Sequence, residues 1–315
     1  MSVDSKERLA LVTGGAGFIG GHLVEGLLGA GWLVRVIDDL SAGSEQNLAR
    51  VMDRIEFTRG DIRDTDVLGR VMDGVEVVFH KAAMASVPGS IEMPILSNSI
   101  NADGTLLVLE TARQSGVRRV VYAASSAVYG DSEVLPKVET LPAAPLSPYA
   151  LQKYTGEVYC RLYSVFYGLE TVALRYFNVF GPRQDPNSDY AAVIPAFVTS
   201  AVSGKPPVIY GDGGQTRDFI YVENAVRANL LAADAERASG AVINIASGQR
   251  TSLNDLWQSI RKIVEVDVEP RYAAPREGDV RDSVADLALA SDLLGYDPDI
   301  GLDEGLARTI ASFRS

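Results

Sequence analysis

Tyr149 and Lys153 stand four residues apart in Ser147-Pro148-Tyr149-Ala150-Leu151-Gln152-Lys153, a spacing that puts both side chains on one face of a helix. A free tyrosine has a pKa of about 10, and a neighbouring ammonium stabilises its phenolate. The pair therefore predicts a Tyr149 whose pKa is lowered and which takes the proton of a bound hydroxyl. A second polar cluster, Ala124-Ser125-Ser126-Ala127-Val128-Tyr129-Gly130, precedes it in the chain. The histidines, His22 and His80, lie far apart, and no group of Cys, His and carboxylates has metal-ligand spacing, so no metal is expected. The single cysteine, Cys160, excludes an internal disulfide, points to a reducing compartment and suits a packing role.

The elements that must position these groups are legible from the amino terminus. Leu9-Ala10-Leu11-Val12 is a buried-strand pattern, and Thr13-Gly14-Gly15-Ala16-Gly17-Phe18-Ile19-Gly20 turns it into a helix that runs to about Ala30. Gly14, Gly17 and Gly20 allow a tight turn and close approach of backbone to a pyrophosphate, which would face the helix N-terminus opened by Phe18 and Ile19. A second strand, Leu33 to Asp38, ends on a carboxylate suited to a ribose and repulsive to a 2′-phosphate, so NAD is favoured over NADP. Ile55 to Arg59 forms a third strand, with Asp61 and Ile62 following at the adenine edge. A fourth, Val75 to His80, leads into Lys81 and the small pair Ala82 and Ala83, suited to close cofactor approach. Helical spacing returns from Ser97 to Ser115, and a fifth strand, Arg118 to Ala124, carries Ser125 at its carboxyl end, where parallel sheets bind ligands. Strands alternating with helices, without repeats, predict a doubly wound α/β domain.

With 315 residues, 47% of them hydrophobic, the chain can bury a large core. A net charge of −12 argues against nucleic acid or an anionic membrane as partner. The polar start, Met1 to Arg8, lacks an apolar signal region and no run approaches membrane-spanning length, so a cytoplasmic protein is expected.

These motifs together resemble the extended short-chain dehydrogenase/reductase family, in the group that remodels nucleotide sugars. Leu174-Arg175-Tyr176-Phe177-Asn178-Val179-Phe180-Gly181-Pro182, Gly211-Asp212-Gly213, Thr216-Arg217-Asp218-Phe219-Ile220 and Arg276-Glu277-Gly278-Asp279 extend the likeness over nearly the whole chain. The resemblance implies a Rossmann-type α/β fold with a smaller, interleaved C-terminal substrate domain. The NAD domain would span 1–175 with returning segments at about 215–246, and the substrate domain 176–214 and 247–315. It implies Tyr149 as base, Lys153 tuning it and holding the nicotinamide ribose, Ser125 donating to the reacting oxygen, Asn101 in the framework of the cofactor site, and Tyr176 beside the cofactor.

Sugar 4,6-dehydratases of this group carry Asp then Glu directly after the position of Ser125, whereas this chain has Ser126 and Ala127, which favours a 4-epimerase. The resemblance places Ser126, Asn178, Gln184, Ala192, Val193, Arg217, Arg276 and Asp279 on the UDP-sugar, the guanidinium forks suiting phosphate oxygens. Ser283 stands where a bulky tyrosine is common in enzymes limited to non-acetylated sugars, and Ala85-Ser86-Val87-Pro88, Gln184 and Ala192 resemble the pocket of UDP-N-acetylglucosamine 4-epimerases. The expected reaction is interconversion of UDP-N-acetylglucosamine and UDP-N-acetylgalactosamine, with UDP-glucose/UDP-galactose or a UDP-uronic acid as alternative substrates. A net oxidoreductase, or an NAD-binding protein without chemistry, is the rival class. The resemblance further implies a homodimer joined by a four-helix bundle of 97–115 and 147–167, with Val108, Ala112, Tyr159 and Tyr163 as candidate contacts.

Overall fold

A computed structural model describes residues 7–185, 192–275 and 280–314. In chain order it contains β1 (Leu9–Thr13), α1 (Phe18–Gly29), β2 (Leu33–Asp38), β3 (Glu56–Arg59), α2 (Thr65–Met72), β4 (Val77–His80), α3 (Val87–Glu92), α4 (Pro94–Asn98), α5 (Gly104–Gln114), β5 (Arg119–Ser125), α6 (Pro148–Tyr167) and β6 (Glu170–Tyr176). The second half adds β7 (Asn178–Phe180), α7 (Val193–Val202), β8 (Val208–Tyr210), β9 (Thr216–Arg217), β10 (Phe219–Tyr221), α8 (Val222–Asp234), β11 (Ala241–Ile245), β12 (Thr251–Ser252), α9 (Leu253–Val264), β13 (Arg271–Ala273), α10 (Ala288–Leu294) and α11 (Leu302–Arg314).

Seven strands form one parallel sheet in the order β11-β6-β5-β4-β1-β2-β3. Parallel strands buried on both faces read as continuous apolar runs, and β1 and β4 do so. One face is covered by α1, α8 and α10 through Leu23, Leu27, Ala228, Ala232 and Leu294. The other is covered by α2, α5 and α6 through Leu68, Val71, Val108, Ala112, Cys160 and Tyr163. The sheet is thus doubly wound, as expected. Strand order reverses between β1 and β4, so a crevice opens beyond their carboxyl ends. A separate core of Phe197, Val198, Trp257, Ile260, Leu306 and Ile310 packs α7, α9 and α11 together. Between the helices of this second core, the chain returns through α8 to the sheet, where β11 pairs with β6.

The longest helix, α6, has clear sequence punctuation. Ser147 caps it by accepting from the Ala150 amide at 3.2 Å, Pro148 occupies its first turn, and Gly168 ends it at φ 70°. The expected continuous helix from Ser97 to Ser115 is instead α4, a π-helical turn over Ser99–Asp103 and α5. Of the candidate dimer contacts, Val108 and Ala112 are fully buried and Tyr163 nearly so, all within the chain's own core. The large hydrophobic side chains that α6 leaves exposed are Leu151, Val158, Val165, Phe166 and Tyr167.

Behind α6, Arg175 of β6 donates to both carboxylate oxygens of Glu157 at 2.8 and 2.7 Å, and both side chains are almost fully buried. The guanidinium also lies 4.8 Å from the centre of the Tyr129 ring, whose hydroxyl donates to Asn244 of β11 at 2.7 Å. Removing one partner leaves an uncompensated buried charge. Glu157→Ala is expected to cost about 3–5 kcal/mol in urea unfolding, and the paired change Glu157→Leu with Arg175→Met is expected to recover most of that loss.

Candidate active site

The glycine turn is shaped by close backbone packing. Gly14 has φ +69°, and a Cβ there would lie 2.6 Å from the Ala82 amide nitrogen; at Gly20 a Cβ would lie 2.1 Å from the Gly14 carbonyl oxygen. No side chain caps α1 at Gly17, so its first amides remain available to a ligand. Asp38, buried at the end of β2, accepts from the Ala16 and Leu40 amides at 2.9 Å each. Burial pushes its carboxyl up while those two amides pull it down. Asp61 is held below the usual carboxylate range by its bond with Arg63. Gly14, Gly17, Phe18, Ile19, Gly20, Asp38, Asp61, Ile62, Ala82, Ala83, Ala85 and Tyr176 all line one cavity of about 690 Å³. An uncapped helix N-terminus, a backbone turn without side chains and a terminal carboxylate suit a diphosphate joined to a ribose, so these residues fit NAD.

Beside that cavity, Ser125 is the last residue of β5 and pairs in register with Tyr176, which lines it, whereas Ser125, Tyr149 and Lys153 do not line it themselves. Its Oγ accepts from the Ala127 amide at 3.2 Å, and Ser125 is the polar neighbour that draws the Tyr149 phenol downward. The Tyr149 amide donates to Ser90 Oγ at 3.1 Å, which seats the first turn of α6 on α3. The Lys153 ammonium donates to the Ala123 carbonyl at 2.8 Å and lies 5.9 Å from the centre of the Tyr149 ring. The helical pairing of Tyr149 with Lys153 is therefore present, but the expected lowering of the phenol is not. Burial pushes Tyr149 up, with Ser125 pulling it partly back, and the Lys153 ammonium is directed at the Ala123 carbonyl. Burial instead lowers Lys153 from 10.5 to about 8.

Asn101 does not line the cavity. Its Oδ1 accepts from the Met84 amide at 2.8 Å, and its Nδ2 donates to the Met84 carbonyl at 3.1 Å and to Gln152 Oε1 at 2.8 Å. It holds in place Met84, which does line it. The π turn supplies the register for this strut.

Asn178, Gln184, Ala192, Val193 and Arg217 line a second cavity of about 590 Å³, and Gln184 and Ala192 border both cavities. Ser86 serves as the cap of α3, accepting from the Gly89 amide at 3.0 Å. Ser126 opens the short turn after β5, and the Ser283 amide donates to the Thr216 carbonyl at 3.2 Å; Ser86, Ser126 and Ser283 line neither cavity. Arg276 and Asp279 lie outside the described residues.

Sequence reasoning passed over several groups. Lys81, Met93, Leu96 and Ile100 line the first cavity, and Gln215 lines the second. The Oε1 atoms of Gln184 and Gln215 are buried without a partner, which offers two acceptors to a ligand rich in hydroxyl or amide donors. Arg183, at φ 68°, donates to both oxygens of Glu25 at 3.0 and 2.7 Å and to the Asn47 carbonyl at 2.8 Å. That clasp ties the loop bearing Gln184 to α1. The Gly-Pro run before Arg183 marks the turn, but nothing in the sequence pairs it with Glu25.

The chain matches the NAD dependent epimerase/dehydratase family over residues 10–246. It is 41% identical over 304 residues to a putative UDP-glucose 4-epimerase of Methanocaldococcus jannaschii, covering 96% of this chain and 97% of the relative. Its structure is similar to that of UDP-N-acetylglucosamine 4-epimerase from Methanobrevibacter ruminantium in complex with UDP-N-acetylmuramic acid, with a TM-score of 0.94, 41% identity and coverage of 98% and 99% of the two chains. It is also similar to UDP-glucose 4-epimerase with UDP-glucose from Thermotoga maritima, with a TM-score of 0.93, 40% identity and the same coverage.

Two substitutions test the site. Gly20→Ala is expected to abolish dinucleotide retention, measured as nucleotide released on denaturing the purified protein, because the new methyl group meets the fixed Gly14 carbonyl. Lys153→Met is expected to raise stability by about 1–3 kcal/mol at pH 7 while removing activity. The ammonium's pKa falls on folding, so its cost is present in full below pH 8 and disappears as pH climbs past 10.5; the gain measured in urea should fade over that window.

Proposed function

The chain belongs to the NAD dependent epimerase/dehydratase family, and on that premise we propose that it inverts C4 of a UDP-hexose, interconverting UDP-N-acetylglucosamine and UDP-N-acetylgalactosamine. The observation that carries this reading is the Ser125, Tyr149 and Lys153 cluster beside a cavity fitted to NAD, with a second cavity meeting the first at Gln184 and Ala192.

Bound NAD supplies a hydride acceptor and donor for the sugar's C4. The chain's own groups manage the proton. Tyr149 takes it from the 4-hydroxyl and later returns it, and Ser125, the polar neighbour of the phenol, steadies the oxygen that gains carbonyl character. Lys153 offers the adjoining positive charge. With the 4-keto sugar free to present its other face before reduction, C4 inverts without net redox change. Ser126 and Ala127 supply no acid for loss of water, which separates this cycle from that of a dehydratase.

The N-acetyl preference is supported by the small residue Ala192, which borders both cavities, by the likeness to the Methanobrevibacter enzyme, and, from the sequence alone, by Ala85 and by Ser283 in place of a bulky side chain. UDP-glucose and UDP-galactose form the second reading, supported by the similarity to the Methanocaldococcus and Thermotoga proteins. Arg217 and Arg276 are assigned to the diphosphate or the uridine in either case, and Asp279 to the same substrate. The exposed apolar groups of α6 suit a homodimer built on a four-helix bundle.

Purified protein given equal concentrations of UDP-N-acetylglucosamine and UDP-glucose, without added NAD, is expected to epimerise the acetylated sugar faster. Turnover of UDP-glucose alone would discard the N-acetyl reading. Tyr149→Phe is expected to lower kcat by roughly 10²–10⁴-fold while NAD stays bound, and retained turnover would remove Tyr149 as the base.

A further inference from the structure

Lys81 is a half-buried lysine that the reaction cycle above does not use. His80, the last residue of β4, turns toward α5, its Nε2 lying 3.0 Å from Thr105 Oγ1. Lys81 follows on the opposite face of the sheet, where its ammonium donates to the Val121 carbonyl at 3.3 Å and to the Tyr176 hydroxyl at 3.1 Å. Asn229 of α8 donates to the same hydroxyl at 2.6 Å and so fixes that acceptor. No carboxylate pairs with Lys81 among the described residues.

Its position relative to Lys153 is the informative feature. Lys153 donates to Ala123 and Lys81 to Val121, alternate carbonyls of the same strand, which stand roughly 6.6 Å apart along it. Two ammonium groups are thus fastened to the last turns of one strand. Lys81, Ala123 and Tyr176 line the cofactor cavity at its Ser125 end, opposite the end marked by Asp38 and Asp61. Burial, and then the charge of Lys153, push Lys81 well below its ordinary value. An amine held by two neutral acceptors, with no carboxylate beside it among the described residues, calls for a role at that end of the cavity.

We propose that Lys81 is a second cation of the cofactor site and biases the bound dinucleotide toward its reduced form. This rests on the reading of the first cavity as the NAD site. The nicotinamide ring is cationic when oxidised and neutral when it has gained a hydride, so a fixed positive charge nearby disfavours only the oxidised form. Lys153 acts in the same direction, and Lys81 adds to it without touching the sugar. Hydride removal from C4 is thereby favoured, and the reduced cofactor is held until the keto sugar has presented its other face.

The test uses the holoenzyme without sugar. Protein is incubated with excess NAD⁺ and NADH at equal concentrations until exchange is complete, free nucleotide is removed by rapid gel filtration, and the bound NADH to NAD⁺ ratio is measured. Lys81→Met is expected to lower that ratio by about 10–100-fold relative to the unaltered protein, the range expected for unit charges several ångströms apart in a partly screened interior. Lys81→Arg keeps the charge and is expected to hold the ratio near its original value. A Lys81→Met ratio within about twofold of the original, or a Lys81→Arg ratio that falls as far, overturns the proposal. Should Lys81→Met fail to fold, a crystal structure of the unaltered protein with NAD decides: Lys81 Nζ within about 6 Å of the nicotinamide ring supports the role, and beyond about 10 Å defeats it. Because no sugar is present, a protein that epimerises no UDP-sugar would still show the shift, whereas an active epimerase with an unchanged ratio loses this proposal alone.

Discussion

Desolvation at the carboxyl edge of one parallel sheet governs this molecule. The strands are buried on both faces, yet the crevice at their ends requires polar and charged groups, and these lose much of their hydration. Each group answers with fixed partners: Asp38 with two backbone amides, Lys153 with the Ala123 carbonyl, Lys81 with Val121 and Tyr176, and Glu157 with Arg175. The result is a site whose charges are oriented before any ligand arrives, supported by apolar layers on either side.

The same need explains how the second half of the chain is joined to the sheet. Asp218 is fully buried and accepts from the Ser247 amide and hydroxyl, the Gly248 amide and the Ala285 amide, at 2.7 to 3.1 Å. One carboxylate thus gathers three loops that are distant in sequence. The Arg183 clasp on Glu25 and Asn47 joins the halves from the other side of the crevice, and between these ties Gln184 and Ala192 border both cavities. A dinucleotide and a sugar nucleotide placed in them would meet beside Gln184 and Ala192.

The glycine turn, the strand order of types and the caps of α6 were legible along the chain because each is a local device: a φ only glycine adopts readily, a period of apolar residues, a serine before a proline. Tyr149 and Lys153 fall on one face for the same reason, since helical spacing is local. Their electrostatics are not local. Whether an ammonium lowers a neighbouring phenol depends on where it points and on how much water both retain, and here β5 draws Lys153 toward Ala123 while burial dominates Tyr149. Likewise, Val108 and Ala112, candidate dimer contacts by resemblance that could equally pack within the monomer, are buried in the chain's own core.

By itself, then, the sequence determined the doubly wound architecture, the glycine turn and the placing of Tyr149 and Lys153 on one helix face, all of which arise from spacings of a few residues. Only the tertiary structure decided which distant groups share a dielectric: Lys81 with Tyr176 and Asn229, Arg175 with Glu157, Arg183 with Glu25. Those pairings depend on strand order and helix placement, and the energies of buried charges are set by that surrounding matter rather than by neighbours in the chain.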